Sequence, residues 1–363
     1  MTAQGGHRAA TLARLGGLRA GLSARSQLST GGRGAGWARW LLFMLLNLGA
    51  TASWAQSALL SYPIATPHSF PTRIALDKEG SIWFIASNTH RLGRFDPASG
   101  TFSEHAIPTP SSFPADLAVG VGGKVWVAES HANQLAVFDP STQVWKEFDI
   151  PTIESLPSRL ALDQKGRVWF TEFYGNKVGM FDPLRQSFRE YPIARAASRP
   201  AGIAVDRQGV VWFVQTQGNA LTRLDPRSGK MLEFALPTPF ETPRDLAIDA
   251  KGVVWFGGHI GRNLLAFYPE KRKFLAHPLP RGGVIESLAI APDGKIYFTL
   301  KTSSKIGVFN PQSADFLELD AEVGKSRPAG IGVDARGDIW YADTERNTLS
   351  KLLASAVAKL WLK

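Results

Sequence analysis

The chain has 363 residues, of which 44% are hydrophobic, so it can bury a sizeable core. It contains no cysteine, which excludes disulfides, thiol catalysis and cysteine metal sites. The formal charge of +10 is uneven, because residues 1–55 hold six arginines and no acidic residue, whereas the remaining chain holds 35 basic and 31 acidic residues. This near balance lacks the concentrated basic patch typical of nucleic-acid binding, and we expect no nucleic-acid partner.

Residues 1–55 have the pattern of a cleaved signal peptide with a basic leader. A basic segment precedes the short apolar run Trp40–Leu48, and small residues follow up to Ala55. A membrane anchor is the alternative, but so short an apolar run cannot span a bilayer. We expect cleavage near Ala55, a periplasmic or extracellular location, and no membrane span after cleavage.

One pattern is repeated seven times after the leader. Its marker is an aromatic residue in an apolar segment, and successive copies lie 42 or 43 residues apart. The seven copies are Trp83, Trp126, Trp169, Trp212, Trp255, Tyr297 and Trp340. A fixed period over this length indicates a repeat architecture, in which each unit packs on its neighbours. We therefore expect one domain over residues 56–363 rather than the two that length alone suggests.

Each unit contains four short segments with strand composition. In the first unit, Arg73–Asp77 ends at an Asp-x-x-Gly turn, and Ser81–Ala86 is an apolar second strand. His90–Phe95 stops before an Asp-Pro pair, and a further proline closes Thr101–Ile107. Four strands in each repeat are typical of one blade of a β-propeller. The sequence predicts an all-β, seven-bladed β-propeller with four-stranded antiparallel blades.

The ring needs one more strand, because the seventh unit ends after its third strand. Residues 58–64 have the phase of a fourth strand: Tyr62 precedes Trp83 by 21 residues, as the fourth-strand tyrosine of the third unit precedes the next tryptophan. The rival segment is Val357–Leu362, which has the same phase at the other end of the chain. We predict that the N-terminal segment closes the ring, which removes the exposed sheet edges.

Propellers bind ligands at the mouth of the central channel, near the connections between blades. Equal spacing from the Asp-x-x-Gly turn predicts that the residue eleven before the aromatic lies beside the residue three after it, at one rim. The residues three after the aromatic are Ala86, Glu129, Glu172, Gln215, Gly258, Leu300 and Asp343. The residues ten before it are Arg73, Asp116, Arg159, Gly202, Asp245, Ser287 and Gly330. Because structural positions of a repeat should be uniform, this variation suggests a site built from several blades.

Carboxylates at this rim are candidate metal ligands. Glu129 and Glu172 lie in adjacent units and could converge on a hard divalent cation, which prefers oxygen ligands. An ion-pair network of such carboxylates with arginines of the same rim is the alternative. His131 and His259 follow second strands, and either could be a general base, although a surface histidine often has no chemical role. The candidate ligand-binding residues are Arg73, Asp116, Arg159, Tyr174, Gln215, Arg244, Asp245, Glu286 and Asp343.

The units resemble the virginiamycin B lyase, or streptogramin lyase, family over about residues 58–352. The resemblance rests on the blade-opening proline and is fullest in Gly166–Glu172 (Gly-Arg-Val-Trp-Phe-Thr-Glu) with Asn176–Gly179 (Asn-Lys-Val-Gly). It implies a seven-bladed propeller that opens a cyclic depsipeptide antibiotic at its ester by elimination, with a divalent metal, usually Mg²⁺, and a catalytic histidine. It also implies that Glu172, and more loosely Glu129, correspond to metal ligands.

The sequence departs from this family where the catalytic histidine should stand. The family places it directly after a blade-opening proline, and this chain has instead Thr72, Ala115, Ser158, Ala201, Arg244, Glu286 and Ala329. The glutamate expected before the proline is also missing. Three functions therefore stay open. The first is an exported propeller that binds a small molecule or cyclic depsipeptide, with or without metal-assisted carbon–oxygen lyase activity and a role in antibiotic resistance. The second is a non-catalytic propeller of the cell envelope, and the third is a six-bladed, gluconolactonase-type lactone hydrolase. We expect a monomer.

Overall fold

The computed structural model describes residues 59–239, 241–258, 260, 262–322 and 324–361. The predicted signal peptide and the candidate base His259 lie outside the described residues. Within the described ranges, no helix is long and apolar enough to cross a membrane.

The fold is a ring of seven four-stranded antiparallel sheets, as the repeat predicts. The first strand of each sheet contacts the first strands of both neighbouring sheets, so these seven strands surround the central channel. The apolar core is divided into seven clusters, each formed between adjacent blades. The sequence therefore specifies seven equivalent interfaces rather than one central core, as expected for stacked repeats.

The strands follow one order throughout the ring. Those of blades 1 to 4 are β2 Pro71–Leu76, β3 Ile82–Ala86, β4 Arg91–Asp96, β5 Thr101–Ala106, β6 Pro114–Val119, β7 Val125–Glu129, β8 Gln134–Asp139, β9 Val144–Asp149, β10 Pro157–Leu162, β11 Val168–Glu172, β12 Lys177–Asp182, β13 Ser187–Pro192, β14 Pro200–Val205, β15 Val211–Gln215, β16 Ala220–Leu224 and β17 Met231–Ala235. Those of blades 5 to 7 are β18 Leu246–Ile248, β19 Val254–Gly257, β20 Asn263–Tyr268, β21 Lys273–Pro278, β22 Ile285–Ile290, β23 Ile296–Leu300, β24 Lys305–Asn310, β25 Asp315–Asp320, β26 Pro328–Val333, β27 Ile339–Asp343 and β28 Thr348–Leu352, with β1 Leu59–Pro63 as the last strand of blade 7.

The N-terminal strand closes the ring, as predicted. β1 pairs antiparallel with β28, from Leu59 opposite Leu352 to Pro63 opposite Thr348. The rival C-terminal segment forms the helix α1, Ala354–Trp361, instead of a strand. Val357 is buried on the inner side of this helix, in the same cluster as Tyr297 of blade 6.

Each turn aspartate is bonded to the aromatic marker of its own blade. In blade 4, Asp206 Oδ1 accepts a hydrogen bond from the amide of Val210 at 2.9 Å, and Oδ2 accepts one from Trp212 Nε1 at 2.9 Å. The same indole-to-carboxylate bond is formed by Trp83, Trp169, Trp255 and Trp340. A buried indole N–H needs an acceptor, so one side chain both shapes the turn and fixes the core tryptophan.

The first strands begin with an irregularity that the sequence did not reveal. Pro157 pairs with Glu172, and the next paired residues are Leu160 and Phe170, so the first strand of blade 3 has one residue more than its partner. Register shifts occur at the same place in blades 1, 2, 4, 6 and 7. The predicted pairing of the residue after the proline with the end of the second strand was therefore wrong by one residue, because a β-bulge intervenes.

Connections between blades, and the turns between second and third strands, lie at the end of the ring where the first strands begin. We call this end the linker face. Asparagines of these turns hold the connections in place: Asn133 Oδ1 accepts hydrogen bonds from both the amide and the hydroxyl of Ser155 at 2.8 Å. Asn347 does the same for Ser69 across the closure between blades 7 and 1. The linker face is thus fixed by side chains that join each blade to the next.

Candidate functional site

A layer of charged and polar side chains fills the channel just inside the linker face. It is formed by the second residue after each blade-opening position, next to the bulges: Arg73, Asp116, Arg159, Gly202, Asp245, Ser287 and Gly330. We call these seven residues the channel layer. Each comes from a different first strand or the connection that leads into it, so the ring brings together residues that lie far apart in the sequence.

Arg73 crosses the channel and is the centre of this layer. Its Nη1 donates to Asp245 Oδ2 at 3.1 Å and to Ser287 Oγ at 2.9 Å, which places the guanidinium of blade 1 against blades 5 and 6. Ser287 Oγ also donates to Asp245 Oδ2 at 2.8 Å. On its other side, Arg73 Nε lies 3.9 Å from Asp116 Oδ1. Arg73 is only 8% exposed, so these are buried charge pairs rather than surface contacts.

Arg159 is held less completely. Its Nη1 donates to the carbonyl of Ser158 at 3.2 Å, and it forms no ion pair with a described carboxylate. Two buried donors of the layer, Arg159 Nε and Arg73 Nη2, have no hydrogen-bond partner among the described residues. Asp116 Oδ2 accepts from the amide of Leu160 at 2.9 Å. Glu286 lies beside the layer and pairs with Lys301, with 3.2 Å between Oε2 and Nζ.

Burial and mutual charge set the protonation of these groups. Burial raises the pKa of Asp116 even though Arg73 and Arg159 oppose the change. Burial also lowers the pKa of Arg159, and the like charge of Arg73 lowers it further. For Arg73, burial acts in the same direction, but the carboxylates of Asp245 and Asp116 outweigh it and raise the pKa. The pKa of Glu286 is lowered, because Lys301 and the two arginines outweigh its burial.

Glycine in the layer allows neighbouring first strands to approach closely. A Cβ at Gly202 would lie 2.7 Å from the Cα of Asp245, and one at Gly330 would lie 2.7 Å from the Cα of Arg73. Real Cβ atoms do not approach backbone atoms so closely, so larger residues would separate these strands. Gly202 and Gly330 therefore fix the positions of the two residues that meet across the channel.

Glu129 and Glu172 lie between blades, not in the channel layer. Both are fully buried at the ends of second strands, Glu129 beside Glu147 and Glu172 beside Thr152 and Ser155. Burial and the neighbouring Glu147 raise the pKa of Glu129 to about 8. Burial and Glu190 raise the pKa of Glu172 to about 8, although Lys177 opposes this. The two glutamates therefore do not share one site: Glu129 lies beside Glu147, and Glu172 lies beside Glu190.

The same inter-blade position is polar in blades 4 and 7 as well, where its side chain bonds to neighbouring polar groups. Asp343 accepts from Ser326 Oγ at 2.5 Å and from the amide of Arg327 at 3.0 Å. Gln215 donates to Thr222 Oγ1 at 2.7 Å and to a glutamate of the outer strand. In blade 5 the position is Gly258, and the carboxylate of Glu241 fills the space, 1.8 Å from where a Cβ would stand. These contacts account for the polar residues structurally.

The residues present do not fit a bound Mg²⁺. Among the described residues, no group of three or more histidine, aspartate and glutamate side chains is placed to hold a metal ion. Glu129 and Glu172 lie in separate interfaces, each beside another glutamate rather than beside the other. In the channel, Asp116 and Asp245 face the guanidinium of Arg73. We therefore derive no reaction step through a metal.

The remaining predicted residues lie on the rim of the linker face. His131 is exposed, and its ring packs against Phe113 with 4.2 Å between centroids and a tilt of 34°. Tyr174 is 60% exposed, and the guanidinium of Arg199 lies 4.7 Å from the centre of its ring. Arg244 is exposed one position before Asp245. Channel layer and rim together form a charged floor with an aromatic and cationic border.

Three residues of this arrangement were not predicted as site residues. Ser287 bridges Arg73 and Asp245, and Phe113 and Arg199 shape the rim. Phe113 and Arg199 both precede a blade-opening proline and have positive φ values of 47° and 51°. The sequence could have indicated these three residues, because their positions in the repeat vary from blade to blade, as those of the predicted site residues do.

Comparison with known proteins identifies the relatives of this ring. The model of the virginiamycin B lyase family matches residues 34–284. The chain belongs to the virginiamycin B lyase family. No curated protein shows significant similarity to it.

Solved structures of family members share the fold at low identity. A structure described as streptogramin B lyase is 23% identical, with a TM-score of 0.77, and covers 81% of this chain and 97% of its own. A catalytically inactive variant of virginiamycin B lyase from Staphylococcus aureus with quinupristin is 24% identical, with a TM-score of 0.76, and covers 81% of this chain and 98% of its own. Hydrazine synthase from Kuenenia stuttgartiensis is 14% identical, with a TM-score of 0.67, and covers 81% and 98%. The propeller is thus shared by proteins with different activities, and these likenesses establish fold alone.

Proposed function

We propose that this chain is a non-catalytic binding protein that takes a small-molecule or cyclic-peptide ligand at the channel mouth on the linker face. One observation carries the proposal: Arg73 spans the channel and pairs with Asp245 and Asp116, the two carboxylates of the channel layer. Carboxylates held by a buried guanidinium are unsuited to binding a metal or abstracting a proton, but they form a rigid floor.

The chemistry expected of the family has no matching residue set in the described part of this chain. Elimination at an ester needs a base next to the α-proton and a group that stabilises charge on the carbonyl oxygen. His131 packs against Phe113 at the rim, and the residues after the blade-opening prolines are not histidines. The third alternative, a gluconolactonase-type hydrolase, is expected to have six blades, whereas this ring has seven.

The ligand class is suggested by relatives. Virginiamycin B lyase from Staphylococcus aureus is described in complex with quinupristin, a ligand of that protein. The present chain belongs to the same family, and aromatic side chains such as Tyr174 and Phe113 are exposed at its rim. A cyclic depsipeptide is therefore the first probe to use, alongside a library of small ring compounds.

The test is to measure binding and turnover separately. Quinupristin and the ring compounds would be titrated by calorimetry into purified protein, and products would be followed by mass spectrometry with Mg²⁺ or with EDTA. We expect binding without ring opening under either condition, and a loss of affinity of at least about fivefold in Tyr174→Ala, because aromatic contacts contribute about 1 kcal/mol or more. Leu184→Ala is the matched control, since Leu184 is 92% exposed in a turn at the opposite end of the ring.

Two results would contradict this proposal. Mg²⁺-dependent opening of quinupristin that is lost in Glu172→Gln would establish the lyase alternative. If neither quinupristin nor any library compound bound in a manner sensitive to Tyr174→Ala, the channel mouth would not be a ligand site.

Export is also a proposal, and it rests on the composition of residues 1–55. We expect protein recovered from the envelope or medium to begin near Gln56, as determined by N-terminal sequencing. Recovery of the uncleaved chain from the cytoplasm alone would reject export.

A further inference from the structure

Lysine and arginine in the connections and turns of the linker face occur on one half only. The connections and turns of the first half contain no lysine or arginine; these are residues 64–70, 87–90, 107–113, 130–133, 150–156 and 173–176. Every lysine or arginine in the corresponding segments falls at Arg195 or later, in the half formed by blades 4 to 7. A one-sided distribution of this kind creates a local positive potential even where the whole chain is nearly balanced.

Four of these cations are exposed and have no ion-pair partner in the part of the chain that the structure describes. They are Arg244, Arg262, Lys325 and Arg327. The acidic residues of the same segments are mostly engaged, since Glu241 is buried beside Gly258, Asp245 is bound by Arg73, and Arg346 pairs with Glu322. Glu345 is left exposed. Cationic side chains therefore exceed free carboxylates on this half.

The connections of the other half expose aromatic and aliphatic side chains, together with the carboxylate of Glu154. Phe113 is 43% exposed, Tyr174 is 60% exposed and Ile153 is 87% exposed. His90 and His131 flank Phe113, with ring centroids 4.9 and 4.2 Å away. Large apolar side chains exposed together at the border of a concave site are typical of binding surfaces.

Between the two halves, the channel layer presents unused donors. Arg73 Nη2 and Arg159 Nε are buried and have no acceptor among the described residues. A buried N–H without a partner costs about 1–3 kcal/mol, and more where the group is charged. The like charges of Arg73 and Arg159 also disfavour each other. Both costs would be relieved by an anionic oxygen placed between the guanidiniums.

We propose that the ligand of the channel mouth is an amphipathic anion: its carboxylate or phosphate is bound by Arg159 and Arg73, and its ring or acyl part packs on the Phe113–Tyr174 side. This inference rests on the proposed function and deepens it by giving the ligand a charge and a polarity. The layer alone is nearly neutral, because Arg73 and Arg159 balance Asp116 and Asp245. Attraction of the anion therefore comes from the rim cations, and its specific position comes from the unpartnered donors.

Three probes of similar size separate charge from ring binding: phenyl phosphate, benzyl alcohol and benzylamine. Their affinities for the full chain would be measured by calorimetry at constant ionic strength. We expect phenyl phosphate to bind at least about tenfold more tightly than benzyl alcohol, since a charge-assisted pair contributes about 1.5–3 kcal/mol. Benzylamine should bind most weakly. Arg159→Gln should weaken phenyl phosphate by at least about tenfold and leave benzyl alcohol nearly unchanged.

Variants at the surface test the anion proposal without changing a buried residue, so their effect on binding does not depend on altered folding. Because Arg159 lies in the channel, the double variant Arg244→Ala/Arg327→Ala removes rim charge and leaves the channel layer intact. We expect it to weaken phenyl phosphate about three- to tenfold, with a smaller loss at high salt. The matched control is Arg227→Ala, which removes an exposed cation from a turn at the opposite end of the ring. It should have no effect.

The outcomes distinguish the two proposals. Equal affinity for phenyl phosphate and benzyl alcohol, with both lost in Tyr174→Ala, would reject the anion and keep a ligand site at the mouth. Phenyl phosphate binding that survives both Arg159→Gln and the double variant would also reject it. If none of the three probes bound to folded protein, the anion inference would be rejected, and the proposed site would then be decided by the titrations of quinupristin and the ring compounds.

Discussion

Replacing Glu129 with glutamine should stabilise this propeller at neutral and alkaline pH. Glu129 is fully buried between blades 1 and 2, and burial together with Glu147 raises its pKa from 4.5 to about 8. In the unfolded chain the same carboxyl is ionised above about pH 4.5. Folding at pH 7 must therefore take up a proton, whereas a glutamine of the same size already has the neutral form.

The size of the stabilisation by Glu129→Gln follows from the difference between the pKa values of Glu129 in the folded and the unfolded chain. Each pH unit between 4.5 and about 8 costs the native state about 1.4 kcal/mol from this group, because the folded chain holds one proton more than the unfolded chain. A raised pKa means that the contribution to stability is greatest at low pH and declines as the pH rises toward 8. At pH 7 the difference reaches about 3 kcal/mol, and we expect about 1–3 kcal/mol after local relaxation.

Urea unfolding at pH 5, 6, 7 and 8, followed by tryptophan fluorescence, measures this directly. The chain has 11 tryptophans, and the linear dependence on urea gives the free energy of unfolding at each pH. The stabilisation by Glu129→Gln should be close to zero at pH 5 and should grow at each higher pH. Glu79→Gln, at an exposed turn position, should show no such trend. Parallel pH profiles for Glu129→Gln and the unchanged protein would refute the protonated buried carboxyl.

Three further changes test how the ring is held together. Asp206→Ala should lower the free energy of unfolding by about 2–3 kcal/mol, because Trp212 Nε1 and two turn amides lose their acceptor; urea unfolding measures the loss. Gly202→Ala should cost at least about 3 kcal/mol or prevent soluble expression, because its Cβ would lie 2.7 Å from the Cα of Asp245. Deleting residues 59–63 should expose the edge of β28 and produce self-association in size-exclusion chromatography.

These three predictions have their own controls. Gly120→Ala places a Cβ 3.4 Å from a flexible leucine side chain at a negative φ of −99°, so it should be tolerated. A chain that begins at residue 59 keeps every described strand and should elute as the full-length protein does. Asp206→Ala with unchanged stability would show that the indole-to-carboxylate bonds are dispensable, and a monomeric, fully stable deletion variant would show that ring closure does not need β1.

The ring and its closure were predictable because they depend on period and phase. Regularly spaced aromatic residues give the number of blades, and the phase of Tyr62 identifies the closing strand. The bulge at Pro157 was not predictable, because one extra residue changes the pairing without changing the apolar pattern. The length over which a side chain extends could not be predicted either, since no spacing in the sequence shows that Arg73 crosses the channel to Asp245.

The candidate metal ligands show why position along a strand is not enough. Glu129 and Glu172 lie at the correct end of their blades, near the linker face. Side chains of a second strand, however, point alternately toward the two neighbouring blades, because the sheet presents its edge to the channel. Both glutamates therefore lie between blades, each beside another glutamate. First-strand residues next to a bulge do not follow this alternation. Their side chains point into the channel and form the channel layer.

The pairing of β1 with β28 has a consequence for biosynthesis. β1 leaves the ribosome before every other described strand, but its partner β28 does not exist until Leu352 has emerged. Blades 1 to 6 have all their strands in sequence order and can assemble as they are translated, whereas blade 7 cannot. Until β28 is available, the blades form an open arc with two unpaired borders, which is the stage at which a chaperone would have most to protect.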